Sequence, residues 1–317
     1  MKADAAFPKI SRTMHKALHY YTLAMAAFLT IAIFASYSGK LGEKAETARE
    51  NDSIPQVIKA VDLNKPFEFA GEKLPMDNFD VAERLDRELL VNTYWHSTTV
   101  LNIKNAHKYF PTIERILREN GIPEDFKYLA VAESSLRNEV SPAGARGIWQ
   151  FMNGTAEQYG LETNREVDER YHLEKSTQAA CELLKDYYRR LNSWTLAAAA
   201  YNAGLSRITR EMEEQRAETY YDLNLGSETS RYVFRLVAIK EILSRPQDFG
   251  FYLDTDERYP PLEDYKSIEV NTPIENLGDF AREHGTSYRM LKVYNPWLMD
   301  SKLPNRSGKT YEIRVPK

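Results

Sequence analysis

The chain has 317 residues, a formal net charge of −4 and one cysteine. The length suffices for two folded units, and the balanced charge gives no sign of a nucleic-acid partner. The single thiol excludes an intramolecular disulfide and a cysteine-based metal cluster. Cys181 falls in an apolar helical pattern, which predicts a buried structural side chain.

The N-terminus has the pattern of an export segment. Four basic residues precede an apolar run, and its most apolar part, residues 23–35, is 13 residues long. That length suits a signal peptide better than a spanning helix of about 20 residues, although the run counted over 18–37 could just span. We therefore interpret residues 1–38 as a signal peptide or an inner-membrane anchor. Both place the remainder in the periplasm or cell envelope.

The region after this segment is predicted to be a linker followed by helices. Residues 39–78 are charged, contain three prolines and show no lasting period, which indicates a linker or arm. Helical periodicity then covers 79–91, 109–117, 173–191 and 194–202. Ser227 is the expected N-cap of a last helix that Pro246 ends. These patterns predict a mainly α domain over 79–250.

One stretch, residues 126–152, concentrates the chemical features. Phe126, Leu129 and Glu133 follow helical spacing, which places a carboxylate on an apolar face. Partial desolvation there would raise its pKa and keep it protonated near neutrality, as a general acid requires. On spacing alone, such a glutamate is more often a solvated residue at a rim. Small residues over 141–147 follow, and then a run that predicts a groove lined by aromatic and amide groups: Trp149, Gln150, Phe151 and Met152.

Four ordered motifs overturn the rim interpretation. They are Glu133-Ser134, Gly-Ile-Trp-Gln at 147–150, Ala-Tyr-Asn-Ala-Gly at 200–204, and Glu228-Thr229 with Tyr232. Together they resemble the catalytic domain of lytic transglycosylases with the goose-type lysozyme fold. The resemblance implies an α+β lysozyme-like, mainly helical domain. It also implies non-hydrolytic cleavage of the bond between N-acetylmuramic acid and N-acetylglucosamine, which leaves a 1,6-anhydro end.

The resemblance also implies a role for each site residue. Glu133 would be the single catalytic group, acting first as acid and then as base, with no metal or cofactor. The substrate-binding residues would be Ser134, Ser141, Gln150, Met152, Tyr201, Asn202, Glu228 and Tyr232. The Tyr232 hydroxyl would point at Glu133, whereas Tyr201 could equally be a core residue with a satisfied hydroxyl. Residues 168–170 are interpreted as a structural salt-bridged turn.

The C-terminal region reads as a separate module. After a linker at 251–265, residues 266–317 follow a strand–helix–helix–strand order that resembles a LysM module, a small binder of N-acetylglucosamine glycans. The usual Gly-Asp-Thr opening is replaced by Asn271-Thr272-Pro273, so the module either binds glycan or is kept for docking. We expect its deletion to leave cleavage of soluble fragments largely intact and to weaken retention on whole sacculi.

Two other functions stay open on the sequence. A lysozyme-type hydrolase would need a carboxylate to activate water, for which Glu139, Glu157 and Asp168 are candidates. A non-catalytic peptidoglycan-binding protein would rely on the C-terminal module and would not need Glu133. In all three cases the partner is a peptidoglycan glycan strand.

Overall fold

The computed structural model describes residues 20–21, 24–31 and 59–317. The chain divides into two units, Met1–Lys59 and Ala60–Lys317. In the first unit, residues 24–31 are helical and exposed. Most of the predicted signal or anchor segment lies outside the described residues, and no helix among those described is long and apolar enough to cross a membrane.

Helices make up most of the second unit. They are α1 (Phe79–Tyr94), α2 (His96–Glu119), α3 (Lys127–Ser134), α4 (Asn153–Gln158), α5 (Leu173–Leu191), α6 (Trp194–Ala203), α7 (Leu205–Gln215), α8 (Thr229–Ser244), α9 (Leu277–Glu283) and α10 (Tyr288–Tyr294). The strands are β1 (Glu68–Phe69), β2 (Glu72–Lys73), β3 (Tyr265–Val270) and β4 (Tyr311–Pro316). The mainly α prediction with a small C-terminal βααβ arrangement is confirmed.

Two details of the helix prediction are wrong. The helix predicted at 109–117 is the second half of α2, which begins at His96 and contains Pro111. Polar side chains interrupt the apolar period in its first half, so the pattern alone misses that start. Ser227 does not cap α8, whose N-cap is Glu228 without a side-chain capping bond. The Ser227 carbonyl instead accepts a hydrogen bond from the Ser230 hydroxyl at 3.2 Å.

Three helices position the functional side chains. Helices α1 and α8 pack against each other, and α3 lies against α8. Leu85 and Leu89 of α1 are fully buried, as are Val233 and Leu236 of α8. Each such burial stabilises the fold by about 1.5–3 kcal/mol. The apolar rows therefore fix the helices whose polar positions border the site described below.

Part of the predicted arm belongs to the helical core. Strands β1 and β2 form a short antiparallel hairpin, and Phe67, Phe69 and Leu74 around it are buried. The Phe69 ring meets Phe126 edge-on, with 5.3 Å between centroids. The Ala70 backbone N–H donates to the Asp125 carboxylate at 2.7 Å. These contacts are long-range in sequence, so no local period reveals them.

Cys181 lies in α5 and is fully buried. Burial raises the pKa of its thiol to about 12, so the thiol stays protonated and a poor nucleophile at neutral pH. The prediction of a buried structural cysteine is confirmed.

The C-terminal strands pair antiparallel, in a register that runs from Tyr265 opposite Pro316 to Val270 opposite Tyr311. Their core continues into the helical part of the chain before them, because Val167 and Tyr171 are buried in the same cluster as Leu291, Trp297 and Ile313. The segment before β3 is also attached, since Phe251 packs with Ile103 and Ile242. Residues 60–317 accordingly cluster as one compact unit.

Candidate active site

A cleft of about 520 Å³ opens between α1, α2, α3 and α8. Glu133, from the last turn of α3, lies in its wall. Ser135 and Leu136 follow in left-handed conformation, with φ of 53° and 57°, and end the helix. Leu136 is buried, so this turn anchors the end of α3 beside the cleft.

The Glu133 carboxyl is surrounded by protein although the residue keeps some exposure to the cleft. Burial raises its pKa to about 7, and the nearby Glu228 acts in the same direction. The Tyr232 hydroxyl donates to Glu133 Oε1, and this bond and the charge of Arg235 both lower the pKa. A carboxyl with this balance reaches both protonation states near neutrality, as a group that gives and then takes a proton requires.

Ser134, Ser141 and Gln150 also line the cleft. The buried Ser134 hydroxyl donates to the Ile148 carbonyl at 2.8 Å and ties α3 to the following turn. Gln150 has φ of 49°, and its side-chain amide donates to the Gly147 carbonyl at 2.8 Å. Ser141 Oγ accepts from the Ala145 backbone N–H at 2.9 Å. The Ser141 side chain therefore forms its hydrogen bond with the backbone of its own loop.

Tyr201 and Asn202 do not border the cleft in the described structure. The Tyr201 hydroxyl donates to the Trp149 carbonyl at 2.7 Å, and Asn202 Oδ1 accepts from the Thr229 hydroxyl at 2.9 Å. Burial and the neighbouring Glu133 raise the pKa of Tyr201 well above its usual value. Both residues therefore brace the site: one holds the 147–150 turn and the other holds the start of α8.

The expected aromatic surface is not in the groove. Trp149 and Phe151 are buried, and the Trp149 indole N–H donates to the Thr177 hydroxyl at 2.9 Å. They are core residues because the turn that carries them folds inward, Trp149 against α5 and Phe151 against Tyr201 of α6. Met152 is 47% exposed, but the structure does not bring it to the cleft.

The cleft is also lined by residues that the sequence analysis missed. Trp95 is 58% exposed and lines the cleft together with Asn92, Thr98 and Asn102. Asn102 is 7% exposed, and its Oδ1 has no hydrogen-bond partner within the described structure. A flat ring beside amide and hydroxyl groups is suited to a sugar. The signal was present in the sequence, because an aromatic and several polar residues interrupt the helical pattern between α1 and α2.

The turn at 168–170 is structural, as predicted. The Asp168 carboxylate is 2.7 Å from Arg170 Nη2 and 3.3 Å from Arg146 Nη1. The Arg170 carbonyl presses against Gly147, where a Cβ atom would lie 2.0 Å from that oxygen. Gly147 also has φ of 79°, so only glycine fits this position without strain.

Comparisons with known proteins agree with the motifs. Residues 110–224 match the family model of the Transglycosylase SLT domain, and residues 266–317 match the Soluble lytic transglycosylase C-terminal LysM-like domain. The chain therefore carries a transglycosylase SLT domain followed by a LysM-like domain, as the sequence predicted.

Individual relatives carry related names. The chain is similar to membrane-bound lytic murein transglycosylase D from two strains of Escherichia coli, with 27% identity over 295 residues in each case. The alignment covers 90% of this chain and 62% of those proteins, so the chain spans less than two thirds of their length. Among solved structures, an inactive mutant of the lytic transglycosylase Slt from Pseudomonas aeruginosa matches with 21% identity and a TM-score of 0.38, covering 48% of this chain and 26% of that one.

Proposed function

We propose that this chain is a peptidoglycan lytic transglycosylase in which Glu133 is the single catalytic group. The observation that carries the proposal is a buried cleft carboxyl with a pKa of about 7, held by the Tyr232 hydroxyl. The transglycosylase SLT domain supports the same reaction class. The names of the curated relatives, membrane-bound and murein-directed, support an envelope location and peptidoglycan as substrate.

The proposed reaction uses Glu133 twice. Its carboxyl donates a proton to the glycosidic oxygen as the bond to C1 of N-acetylmuramic acid breaks. The acetamido oxygen of that sugar assists at C1, so no second carboxylate is needed. The resulting Glu133 carboxylate accepts the proton of the C6 hydroxyl while O6 attacks C1 and closes the 1,6-anhydro ring. The Tyr232 hydroxyl stabilises the carboxylate between these steps.

Hydrolysis has less support. It needs a carboxylate positioned to activate water. Of the three candidates, only Glu139 lines the cleft, where it is half-exposed and 3.4 Å from Arg137. Glu157 accepts hydrogen bonds from Asn153 and Thr163, and Asp168 is held by its arginines. We therefore assign no water-activating role to these groups.

The domain limits and the binding roles belong to the same proposal. We assign residues 79–250 to catalysis, 251–265 to a connector, 266–317 to the LysM-like module and 1–38 to export or anchoring. Ser134, Ser141 and Gln150 line the cleft and would contact the glycan. The partly buried Tyr201 and Asn202 and the buried Tyr232 would brace the site from behind. Glu228 is exposed at the start of α8 and would act on Glu133 through its charge. For Met152, which the structure leaves outside the cleft, we propose no contact at the scissile bond.

Mass analysis of products released from purified sacculi tests the reaction. Fragments that end in 1,6-anhydro-N-acetylmuramic acid, lighter by one water than hydrolysis products, are expected. Products with reducing sugar ends would show that the chain is a hydrolase and not a lyase. Binding to sacculi without any released product would replace it with a non-catalytic peptidoglycan-binding protein.

A further inference from the structure

Part of the cleft lining concentrates positive charge. Arg87 from α1 and Arg231 and Arg235 from α8 surround Glu88, and all four residues line the cleft. We call the three arginines the arginine cluster. Its nitrogen atoms lie 2.6, 3.7 and 3.5 Å from the Glu88 carboxylate, in that order. Three guanidinium groups share one carboxylate, which leaves a surplus of two positive charges in a chain whose net charge is −4.

Glu88 can accept hydrogen bonds from only some of the N–H groups of the arginine cluster. The Glu88 side chain is 2% exposed and can accept few bonds, whereas each guanidinium has five N–H groups. Arg231 Nε is buried and has no hydrogen-bond partner within the described structure. The Arg235 bond to Glu88 is long, at 3.5 Å. Arg87 lines the cleft and is 52% exposed, so part of its guanidinium is open to solvent.

The arginine cluster and Glu133 line the same cleft. Arg235 is three residues beyond Tyr232 on α8, a spacing at which the two Cβ atoms are about 5–6 Å apart on one side of the helix. Tyr232 in turn donates to Glu133, and Arg235 is near enough to influence that carboxyl. A glycan bound in the cleft at Glu133 would therefore also pass beside the arginine cluster.

We propose that the arginine cluster is a carboxylate-binding subsite that selects anionic muramyl substituents beside the scissile bond. This inference rests on the proposed function, because N-acetylmuramic acid carries its carboxylate at that place. The carboxylate belongs either to a free lactyl group or to the peptide attached to it, and guanidinium groups match the geometry of both. A neutral N-acetylglucosamine chain has nothing to offer the cluster. The enzyme should therefore discriminate between glycans of equal length by charge.

The test measures binding to full-length protein that carries Glu133→Gln, so that no ligand is cleaved during the titration. Three ligands of equal sugar number are compared: muramyl oligosaccharides with peptide stems, the same strands stripped to free lactyl groups, and chitooligosaccharides. Arg87→Gln and the double variant with Arg231→Gln are added in turn. Arg115→Gln is the matched control, because Arg115 is 54% exposed, is paired with one glutamate and lies outside the cleft.

We expect each lost arginine to weaken binding of an anionic ligand by about 10-fold or more and to leave chitooligosaccharide binding unchanged. A loss confined to stem-bearing strands assigns the peptide carboxylates, and a loss with stripped strands assigns the lactyl group. In protein that carries Glu133→Gln alone, with all three arginines present, higher salt should weaken the binding of the anionic ligands and leave the binding of the neutral one unchanged.

An equal loss for the neutral ligand, or no loss for any ligand, would overturn the subsite. The same salt dependence of binding for charged and neutral ligands would also overturn it. That measurement uses protein with an intact arginine cluster, so it does not depend on whether the arginine variants fold. Failure of the proposed function has a different signature. The parent chain would then release no 1,6-anhydro products from sacculi, whatever the binding data show.

Discussion

At the scale of single residues, Glu133 destabilises the fold under the conditions in which it is ionised. Its pKa rises from 4.5 in the unfolded chain to about 7 in the folded one, mainly because burial disfavours the charged form. Between these values the folded state binds more protons than the unfolded state. The free energy of unfolding therefore falls as pH rises through this window, by about 3 kcal/mol in total for this group. Below pH 4.5 both states are protonated and the penalty vanishes.

Glu133→Gln should abolish cleavage and stabilise the protein at alkaline pH. The amide cannot deliver a proton, and general acid–base help is worth about 10² to 10⁴ in rate. It also cannot ionise, so the variant should exceed the parent in unfolding free energy at pH 8 by up to about 3 kcal/mol, and by much less at pH 4. Urea unfolding at the two pH values and product analysis from sacculi measure both effects.

Glu139→Gln is the control, because Glu139 lines the same cleft and is half-exposed. It should keep its activity. If Glu133→Gln retained cleavage while Glu139→Gln lost it, the acid would have been misassigned.

Tyr232→Phe should move the pH profile of the enzyme. The Tyr232 hydroxyl lowers the pKa of Glu133, so its removal should raise that pKa further above 7. The alkaline limb of kcat/KM, along which Glu133 loses its proton, should shift to higher pH. The maximum rate should fall by roughly 10-fold, since the carboxylate loses a charge-assisted hydrogen bond when it acts as base. An unshifted alkaline limb would contradict this coupling.

At the scale of elements, the 147–150 turn is constrained by three separate contacts. Its backbone presses on the Arg170 carbonyl at Gly147, its Gln150 side chain lines the cleft, and Tyr201 holds it from behind. A change at any one of these three contacts should displace the Gln150 side chain in the cleft, because all three involve the same four-residue turn.

Gly147→Ala should destabilise the protein by roughly 3 kcal/mol or more, since the new methyl group meets a carbonyl oxygen and the backbone has positive φ. Thermal unfolding of the variant and of Gly154→Ala measures this. Gly154 lies in α4 with open space around its Cβ position, so alanine there should be neutral or slightly stabilising. Equal melting temperatures for the two variants would show that the turn relaxes easily.

Some secondary-structure elements and site residues could be predicted from the sequence, and others could not. Periodicity identifies α5 and α6, because a helical pattern repeats within a few residues. Glu133 and Tyr232 were singled out through the resemblance of four short motifs to a known family. The arginine cluster needs α1 and α8 side by side, so Glu88 and Arg235, 147 residues apart, give no local signal. Trp149 was misassigned to the groove for a related reason: its burial follows from the packing of the turn onto α5, which no spacing encodes.

At the scale of the whole molecule, the LysM-like module packs directly against the helical region that precedes it. Trp297 is 4% exposed and stacks between His172, at 5.8 Å, and Tyr311, at 5.7 Å. The Asp168 backbone N–H donates to the Trp297 carbonyl at 2.9 Å. Arg314 pairs with Glu174 at 2.7 Å. The sequence-based expectation of a separable module overlooked this interface, because its two halves lie more than a hundred residues apart.

The interface leads towards the cleft. Asp168 touches the module through its backbone and holds Arg146 and Arg170 through its carboxylate. Arg146 pairs through its backbone with Phe151, across the 147–150 turn, and Arg170 supports Gly147. The module is therefore connected through one ion-paired turn to the loop that carries Gln150.

Deletion of 266–317 should impair cleavage as well as retention on sacculi, contrary to the expectation from the sequence. It would expose the buried Val167 and Tyr171 and remove the partner of the Asp168 backbone N–H. Trp297→Ala in the full chain is the graded version and should lower the unfolding free energy by about 3–5 kcal/mol. Met290→Ala, on an exposed position of the same module, should leave stability and cleavage unchanged. Melting temperature and cleavage of soluble glycan fragments are measured for all three. A truncated chain that melts and cleaves like the parent would show that the catalytic region holds the 168–170 turn by itself, and the module would then be only a binder carried alongside it.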